Sequence, residues 1–268
     1  MVEIDISKLV DHDWFTNEAF KSIRANIQFC GADIKVIMLT SCSEDEGKST
    51  VALNLAYSFS QEGSRVLFID GDLRKSILIG RLGIQKKVNG LAHYLTRQAN
   101  FLDCICASGN LHIMPAGAIP PNPAELLSSQ LFSDFIEKAR SVYDIIIIDT
   151  PPLGALIDAA VITPLCDGCV FVLQANKINY KFAQSTVNQL RKAGGRILGV
   201  VLNKMDLGKR NHYYYYKRYG YRAGKYFQKQ YKHSHPPYLY YGDYYGAGSG
   251  AADSAVEKSR TDLTKAKN

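Results

Sequence analysis

Long apolar runs are missing from this 268-residue chain. The longest, residues 145–148 with their neighbours, falls far short of the roughly 20 residues that a membrane-spanning helix needs. Residues 1–8 mix acids with apolar residues and contain no apolar stretch of the kind a secretory leader carries. The chain therefore reads as soluble and cytoplasmic. Cysteine is too sparse for a secreted disulfide framework, with six in the whole chain. Two close pairs, Cys104/Cys106 and Cys166/Cys169, raise the question of zinc, which takes two such pairs in loop-like surroundings. Cys166 and Cys169 instead flank Asp167-Gly168 just ahead of apolar residues 170–173, as a turn entering a strand does. Buried or half-buried free thiols are expected over a metal. Acids are absent from residues 209–232, where eight Lys and Arg fall, so most of the net charge of +7 sits in one segment. That segment suits nucleic acid, an anionic membrane face or an acidic protein, and composition does not choose between them.

What is present is a core of ample size, the chain being 46% hydrophobic. Short β-branched runs alternate with helical patterns between residues 35 and 203. Strands are expected at 36–39, 65–69, 111–114, 144–149, 169–173 and 197–202. Helices are expected at 50–62, 126–142 and 182–193, with an amphipathic one at 17–29. The strands are continuously apolar, which suits a sheet buried on both faces. The fold class is thus α/β, a doubly wound, mostly parallel sheet covered by helices. Residues 1–34 precede the first sheet strand, residues 35–206 form the α/β domain, and residues 207–268 read as a flexible tail. Thirteen of the 17 tyrosines lie between Tyr213 and Tyr245.

The strand at 36–39 runs into Ser41-Cys42-Ser43-Glu44-Asp45-Glu46-Gly47-Lys48-Ser49-Thr50, and a helix follows. Such a loop wraps phosphates with backbone N–H groups and aims the positive end of a helix at them. Ser43, Glu44, Asp45, Glu46, Gly47, Lys48, Ser49 and Thr50 are the candidate nucleotide contacts. Lys48 would neutralise β/γ-phosphate charge and the Ser49 hydroxyl would ligate Mg²⁺. The usual motif opens on Gly, where this chain has Cys42. Asp72 and Asp149 stand at or just beyond the C-terminal ends of apolar strands, the edge where open parallel sheets bind ligands. With Ser49 they are the candidate Mg²⁺ ligands, since Mg²⁺ keeps several waters and takes few carboxylates. Asp70 shares the Asp72 loop. The carboxylates of Glu44, Asp45 and Glu46 would repel phosphate unless they point outward, and outward is the expected direction.

Four ordered motifs, spread over roughly residues 15 to 245, carry a resemblance. Residues 68–74 (Phe-Ile-Asp-Gly-Asp-Leu-Arg) follow the phosphate loop. Residues 117–127 contain Pro-Pro-Asn-Pro-Ala-Glu-Leu-Leu, and residues 146–152 read Ile-Ile-Ile-Asp-Thr-Pro-Pro. Together with the tyrosine-rich tail, the chain resembles the bacterial tyrosine kinases, and among them the cytoplasmic half of the split kind found in capsule and exopolysaccharide clusters. The fold this implies is a P-loop NTPase of the deviant Walker, partitioning-ATPase-like group. In place of the family's Pro-Gly this chain has Glu44-Asp45. The family's oligomerisation motif, Glu-x-x-Arg-x-x-Arg, appears as Glu18, Lys21 and Arg24, and Lys lacks the planar fork that pairs bidentately with carboxylates. The alternative for this helix is plain amphipathic packing.

The resemblance implies ATP and Mg²⁺ as cofactors, Lys48 and Ser49 at the phosphates, Asp72 and Asp149 at the metal, and Asp70 as the base for a tyrosine hydroxyl. Arg74 would support either the phosphates or its own loop. The implied autophosphorylation sites are Tyr213, Tyr214, Tyr215, Tyr216, Tyr219, Tyr221, Tyr238, Tyr240, Tyr241, Tyr244 and Tyr245. Each phosphate adds roughly −1.5 to −2 charge, enough in number to reverse the tail's sign and loosen an assembly. Implied partners are a separate transmembrane activator, further copies in a homo-oligomer such as a ring, a protein-tyrosine phosphatase, and polysaccharide-synthesis or export proteins as substrates. The activator would recruit the chain to the inner face of the membrane. No nucleic-acid partner is expected beside these motifs. Two other readings stay open: a partitioning or septum-type ATPase switch, against which the absence of a second loop lysine at Ser43 counts, and a nucleotide-binding module without catalysis.

Overall fold

Asp13 starts the first long helix: its carboxylate accepts the Thr16 N–H at 3.1 Å, satisfying a donor that a helix N-terminus leaves open. That helix, α1 (Trp14–Phe29), follows a two-residue strand, β1 (Val2–Glu3), in a computed structural model describing residues 2–7, 9–10, 13–81, 88–154 and 156–205. Next come β2 (Val36–Ser41), α2 (Lys48–Gln61), β3 (Val66–Asp70), and two short helices, α3 (Leu78–Arg81) and α4 (Leu91–Leu95). β4 (Cys106–Ser108) and β5 (Leu111–Met114) form a hairpin, followed by α5 (Pro123–Leu127) and α6 (Gln130–Val142). The last part holds β6 (Ile145–Asp149), α7 (Asp158–Ile162), β7 (Gly168–Gln174), α8 (Tyr180–Lys192) and β8 (Ile197–Asn203). The single helix expected over residues 126–142 is two helices. Ser128 ends α5, and the Ser129 hydroxyl accepts the Phe132 N–H at 3.3 Å to open α6.

The described strands form one sheet in the order β1-β4-β5-β3-β6-β2-β7-β8. From β5 to β8 every pairing is parallel; the β4–β5 hairpin reverses the direction, and β1 runs parallel to β4. The sequence puts residues 1–34 ahead of the sheet, whereas the structure pairs Val2 with Cys106 and Glu3 with Ala107, making β1 an edge strand. Ile6, Val10 and Ile27 are buried in the core beside it.

Two apolar layers sandwich the sheet, and the central strands show why their sequence is unbroken. Ile146 and Ile148 pack on the α6 side with Phe132, Phe135 and Ile136, while Ile147 packs on the α2 side with Leu55 and Phe59. All three isoleucines are fully buried, each contributing on the order of 2 kcal/mol of transfer free energy. Successive side chains point to opposite faces, so a strand covered on both faces needs apolar residues at every position. Among the described residues no helix is long and apolar enough to cross a membrane. The tyrosines singled out from Tyr213 to Tyr245, and the whole of 207–268, lie outside the described residues.

Candidate active site

β2 ends at Ser41 and α2 begins at Lys48, so residues 42–47 form the loop between them. Gly47 occupies the helix N-cap with φ +86° and supplies no capping side chain, so the positive end of a 14-residue helix is left open to an anion. A Cβ on Gly47 would run into the Asn203 amide, which makes glycine doubly necessary here. Cys42 fills the place of the motif's first glycine without strain. It is not among the residues with positive φ, and its side chain is buried under α8, where burial pushes its thiol up to about 11. Asp45, in contrast, has φ +61°.

The three loop acids do not behave alike. Glu44 and Asp45 are exposed, as expected, and the Glu44 carboxylate accepts from Lys75 Nζ at 2.6 Å. Glu46 corrects the expectation: it is 1% exposed and faces inward. Its Oε1 accepts both the N–H and the hydroxyl of Ser43 at 2.7 Å, and its Oε2 accepts the Gln174 N–H at 3.3 Å. The Ser43 N–H is thereby committed to Glu46, which removes it from the set facing phosphate. The loop's carbonyls are occupied as well. Lys177 Nζ donates to Glu44 O at 2.8 Å, Lys204 Nζ to Asp45 O at 2.6 Å, and Asn203 Nδ2 to Glu46 O at 2.9 Å. These three donors were not anticipated. The signal was available: Asn203 and Lys204 end an apolar strand at the same sheet edge that singles out Asp149.

Lys48 does not stand free. Its Nζ donates to Asp149 Oδ1 at 2.6 Å and to Ser49 Oγ at 3.2 Å, with the Lys48 and Asp149 side chains 8% and 3% exposed. Asp70 and Asp149 are register partners on β3 and β6, so both carboxylates leave the sheet at one level. Burial, and then the Asp149 charge, push the Asp70 carboxyl up to about 7, against opposing pulls from Ser76 and Lys48. The Ser76 hydroxyl donates to Asp70 Oδ2 at 2.5 Å. Asp72 accepts the N–H groups of Arg74 and Lys75 at 3.3 and 3.0 Å, which shapes the turn after β3. Ser49, Asp70, Asp72, Lys75, Ser76 and Asp149 line one cleft. Its polar lining next to Lys48 is rich in hard oxygen donors, the ligands Mg²⁺ prefers. Among the described residues no three acids, histidines or cysteines are gathered into a closed metal cage; an ion held partly by water and phosphate oxygens needs none.

The remaining candidates lie elsewhere. Arg74, left open between phosphate and loop, forms a two-pronged pair with the buried Asp158 at 2.6 and 3.0 Å. On α1, Glu18 and Lys21 pair with each other at 2.6 Å on the surface. Arg24 turns toward α2, donating to Ser58 O at 2.5 Å and lying 3.2 Å from Glu62 Oε2. Cys104, Cys106 and Cys169 are buried and Cys30 and Cys166 half-buried free thiols; burial pushes Cys104 and Cys169 up to about 11 and about 12.

The AAA domain family matches residues 34–197. Over 193 residues the chain is 41% identical to the tyrosine-protein kinase CpsD of Streptococcus agalactiae, spanning 71% of this chain and 84% of that protein. The chain belongs to the bacterial tyrosine-protein kinases. Within them it falls with the capsule type, and the activity of the family is transfer of a phosphoryl group to protein tyrosine. The kinase fold extends to solved structures: the chimerical protein CapA2B2 superposes with a TM-score of 0.70 at 31% identity, covering 76% of this chain and 93% of that one. The septum site-determining protein MinD of Pyrococcus horikoshii, complexed with Mg-ADP, shares the fold at a TM-score of 0.56 and 27% identity, over 66% of this chain and 72% of its own. The septum-type reading is thus a fold likeness, and the kinases are the nearer kin. Like them, the chain is a nucleotide-binding protein.

Proposed function

We propose that the nucleotide is ATP with Mg²⁺ and that its β/γ-phosphates bind over the open N-terminus of α2, with Lys48 transferring from Asp149 to the phosphates. Ser49, Asp72 and Asp149 would hold Mg²⁺, which when bound neutralises charge on the β- and γ-phosphate oxygens. The acceptor is a tyrosine hydroxyl, its oxygen attacking the γ-phosphorus as the bond to the β–γ bridging oxygen breaks and ADP leaves. Asp70 takes the hydroxyl proton. A free tyrosine titrates near pH ~10, and phosphoryl transfer asks mainly for alignment and charge stabilisation, so a modest base suffices. The observation that carries this reading is the convergence of Ser49, Asp70, Asp72 and Asp149 on one cleft beside Lys48.

The acceptors are assigned to the tail, Tyr213 to Tyr245. As in the split kinases that the chain resembles, activation would come from a separate membrane protein whose cytoplasmic tail docks beside the nucleotide and recruits the kinase to the membrane. Assembly into a homo-oligomer through α1, reversal by a tyrosine phosphatase, and polysaccharide-synthesis or export proteins as further substrates complete the reading. The test is incubation with ATP and Mg²⁺, with and without the activator's tail, followed by an anti-phosphotyrosine blot. Signal is expected in the wild type and lost in Lys48→Met, in Asp70→Asn and in a chain with its tail tyrosines replaced by Phe. Equal signal in Lys48→Met, or none in any sample, overturns it.

A further inference from the structure

The carbonyls of Glu44, Asp45 and Glu46 are three in succession, and each accepts from a different side chain at the C-terminal edge of the sheet: Lys177, Lys204 and Asn203. In a trans peptide unit the C=O and the following N–H point in opposite directions. Holding these three oxygens toward β7 and β8 therefore turns the N–H groups of Asp45, Glu46 and Gly47 the other way. Those are loop donors of the kind that cradle phosphate in such loops. The fourth fastening is the buried Glu46 carboxylate, which ties Ser43 to Gln174 from inside the loop.

A loop that carries two exposed acids and a non-glycine residue at positive φ has reason to need such fastening. Free of the clamp, the peptide units on either side of Asp45 would be able to rotate, and rotation would bring carbonyl oxygens rather than N–H groups to an incoming phosphate. We propose that Lys177, Asn203 and Lys204 are positioning residues for phosphate binding, holding the loop's carbonyls outward so that its N–H groups are set for the β- and γ-phosphates of a nucleotide. The proposal rests on residues 43–50 being the phosphate loop. The two lysines act through the backbone of the loop and do not touch the phosphates themselves. Both are exposed, so their replacement spares the core.

The experiment compares the full chain with Lys177→Met, Asn203→Leu, Lys204→Met, Lys204→Arg and Lys48→Met. The readouts are the Kd of Mg-ADP by calorimetry, KM for ATP and kcat in autophosphorylation, and the thermal midpoint without nucleotide. Losing one charge-assisted hydrogen bond to the loop is expected to raise Kd and KM on the order of 10-fold. The value of kcat at saturating ATP should hold, and Lys204→Arg should restore binding. A long-range effect of lysine charge on the phosphates would instead fade between about 0.1 M and about 1 M salt, where the Debye length shrinks from roughly 10 to 3 Å. The clamp predicts a ratio of Kd values independent of salt, and a comparable loss in the uncharged Asn203→Leu. A loss confined to the lysine variants and erased by salt overturns the clamp. So does an unchanged Kd, or a lowered thermal midpoint with normal binding. If Lys48→Met alone loses binding, the phosphate loop stands and the clamp falls; if Lys48→Met binds normally, both fall.

Discussion

Asp70 and Asp149 face each other across β3 and β6 as register partners, and the Lys48 ammonium lies 2.6 Å from the second of them. Two carboxylates at one level of a buried sheet edge repel, and a single lysine offsets that repulsion in the absence of phosphate. The same lysine is the one proposed to leave when phosphate arrives. The two carboxylates are therefore held together by the group that the proposed mechanism hands to the nucleotide, and this relationship sets the expected response to mutation and to pH.

Replacing Lys48 by Met is expected to destabilise the nucleotide-free protein by about 3 kcal/mol, because breaking a buried pair strands an uncompensated charge. The double variant Lys48→Met/Asp149→Asn should recover most of the loss. Urea unfolding at about pH 8, with EDTA present, measures both. Equal stability of wild type and Lys48→Met would show that Asp149 draws no support from the lysine.

Stability should also depend on pH through Asp70. Its folded carboxyl lies at about 7, above the ordinary aspartate value near 3.9. Below both values the group is protonated folded and unfolded, and contributes no pH dependence. Between them the unfolded chain holds fewer protons, so stability falls as pH rises, by up to roughly 1.4 kcal/mol per pH unit, and levels off above about 7. The thermal midpoint of the metal-free, nucleotide-free protein is therefore expected to be higher at about pH 5.5 than at about pH 8 by more than in Asp70→Asn. A wild-type profile parallel to that of the variant would remove Asp70 as the cause.

Asp45 offers a third test. With φ +61° it sits in the left-handed region, at a cost to a non-glycine residue of roughly 1 kcal/mol. Asp45→Gly relieves that cost but loosens the unfolded chain, so a net gain of no more than about 1 kcal/mol is expected. Its carboxylate faces solvent, where charges are screened, so Mg-ADP should bind less than about 3-fold tighter in the variant. Tightening of about 10-fold or more, worth roughly 1.4 kcal/mol, would mean that the Asp45 charge reaches the phosphates.

The parts of this architecture legible in the sequence are those set by local pattern. Residues 145–149 announce a strand covered on both faces, and Ser41 to Thr50 announce a phosphate loop whatever residue replaces its first glycine. Asp70, Asp72 and Asp149 follow from strand ends at one sheet edge. What escaped reading depends on partners distant in the chain. Glu46 looks like one of three solvent-facing acids until Gln174, 128 residues away, is seen to donate to it. Lys204 has no assigned role until Asp45 O, 159 residues away, is placed against it. β1 and β4, of two and three residues, are too short for any alternation to register. The break at Ser128-Ser129 was a missed local signal, since serine ahead of an apolar run is a helix opener.

Lys204 fastens the last described strand to the phosphate loop, and Tyr213 follows it by nine residues. A chain extends by at most about 3.6 Å per residue, so nine residues hold Tyr213 within roughly 32 Å of Lys204. Confinement of that kind amounts to a local concentration in the millimolar range. If the tail tyrosines are the acceptors, as proposed, the kinase would carry its own competing substrate, on itself or on a neighbouring copy. Under that reading, a foreign tyrosine-bearing protein would meet an occupied queue until those tethered residues had taken their phosphates.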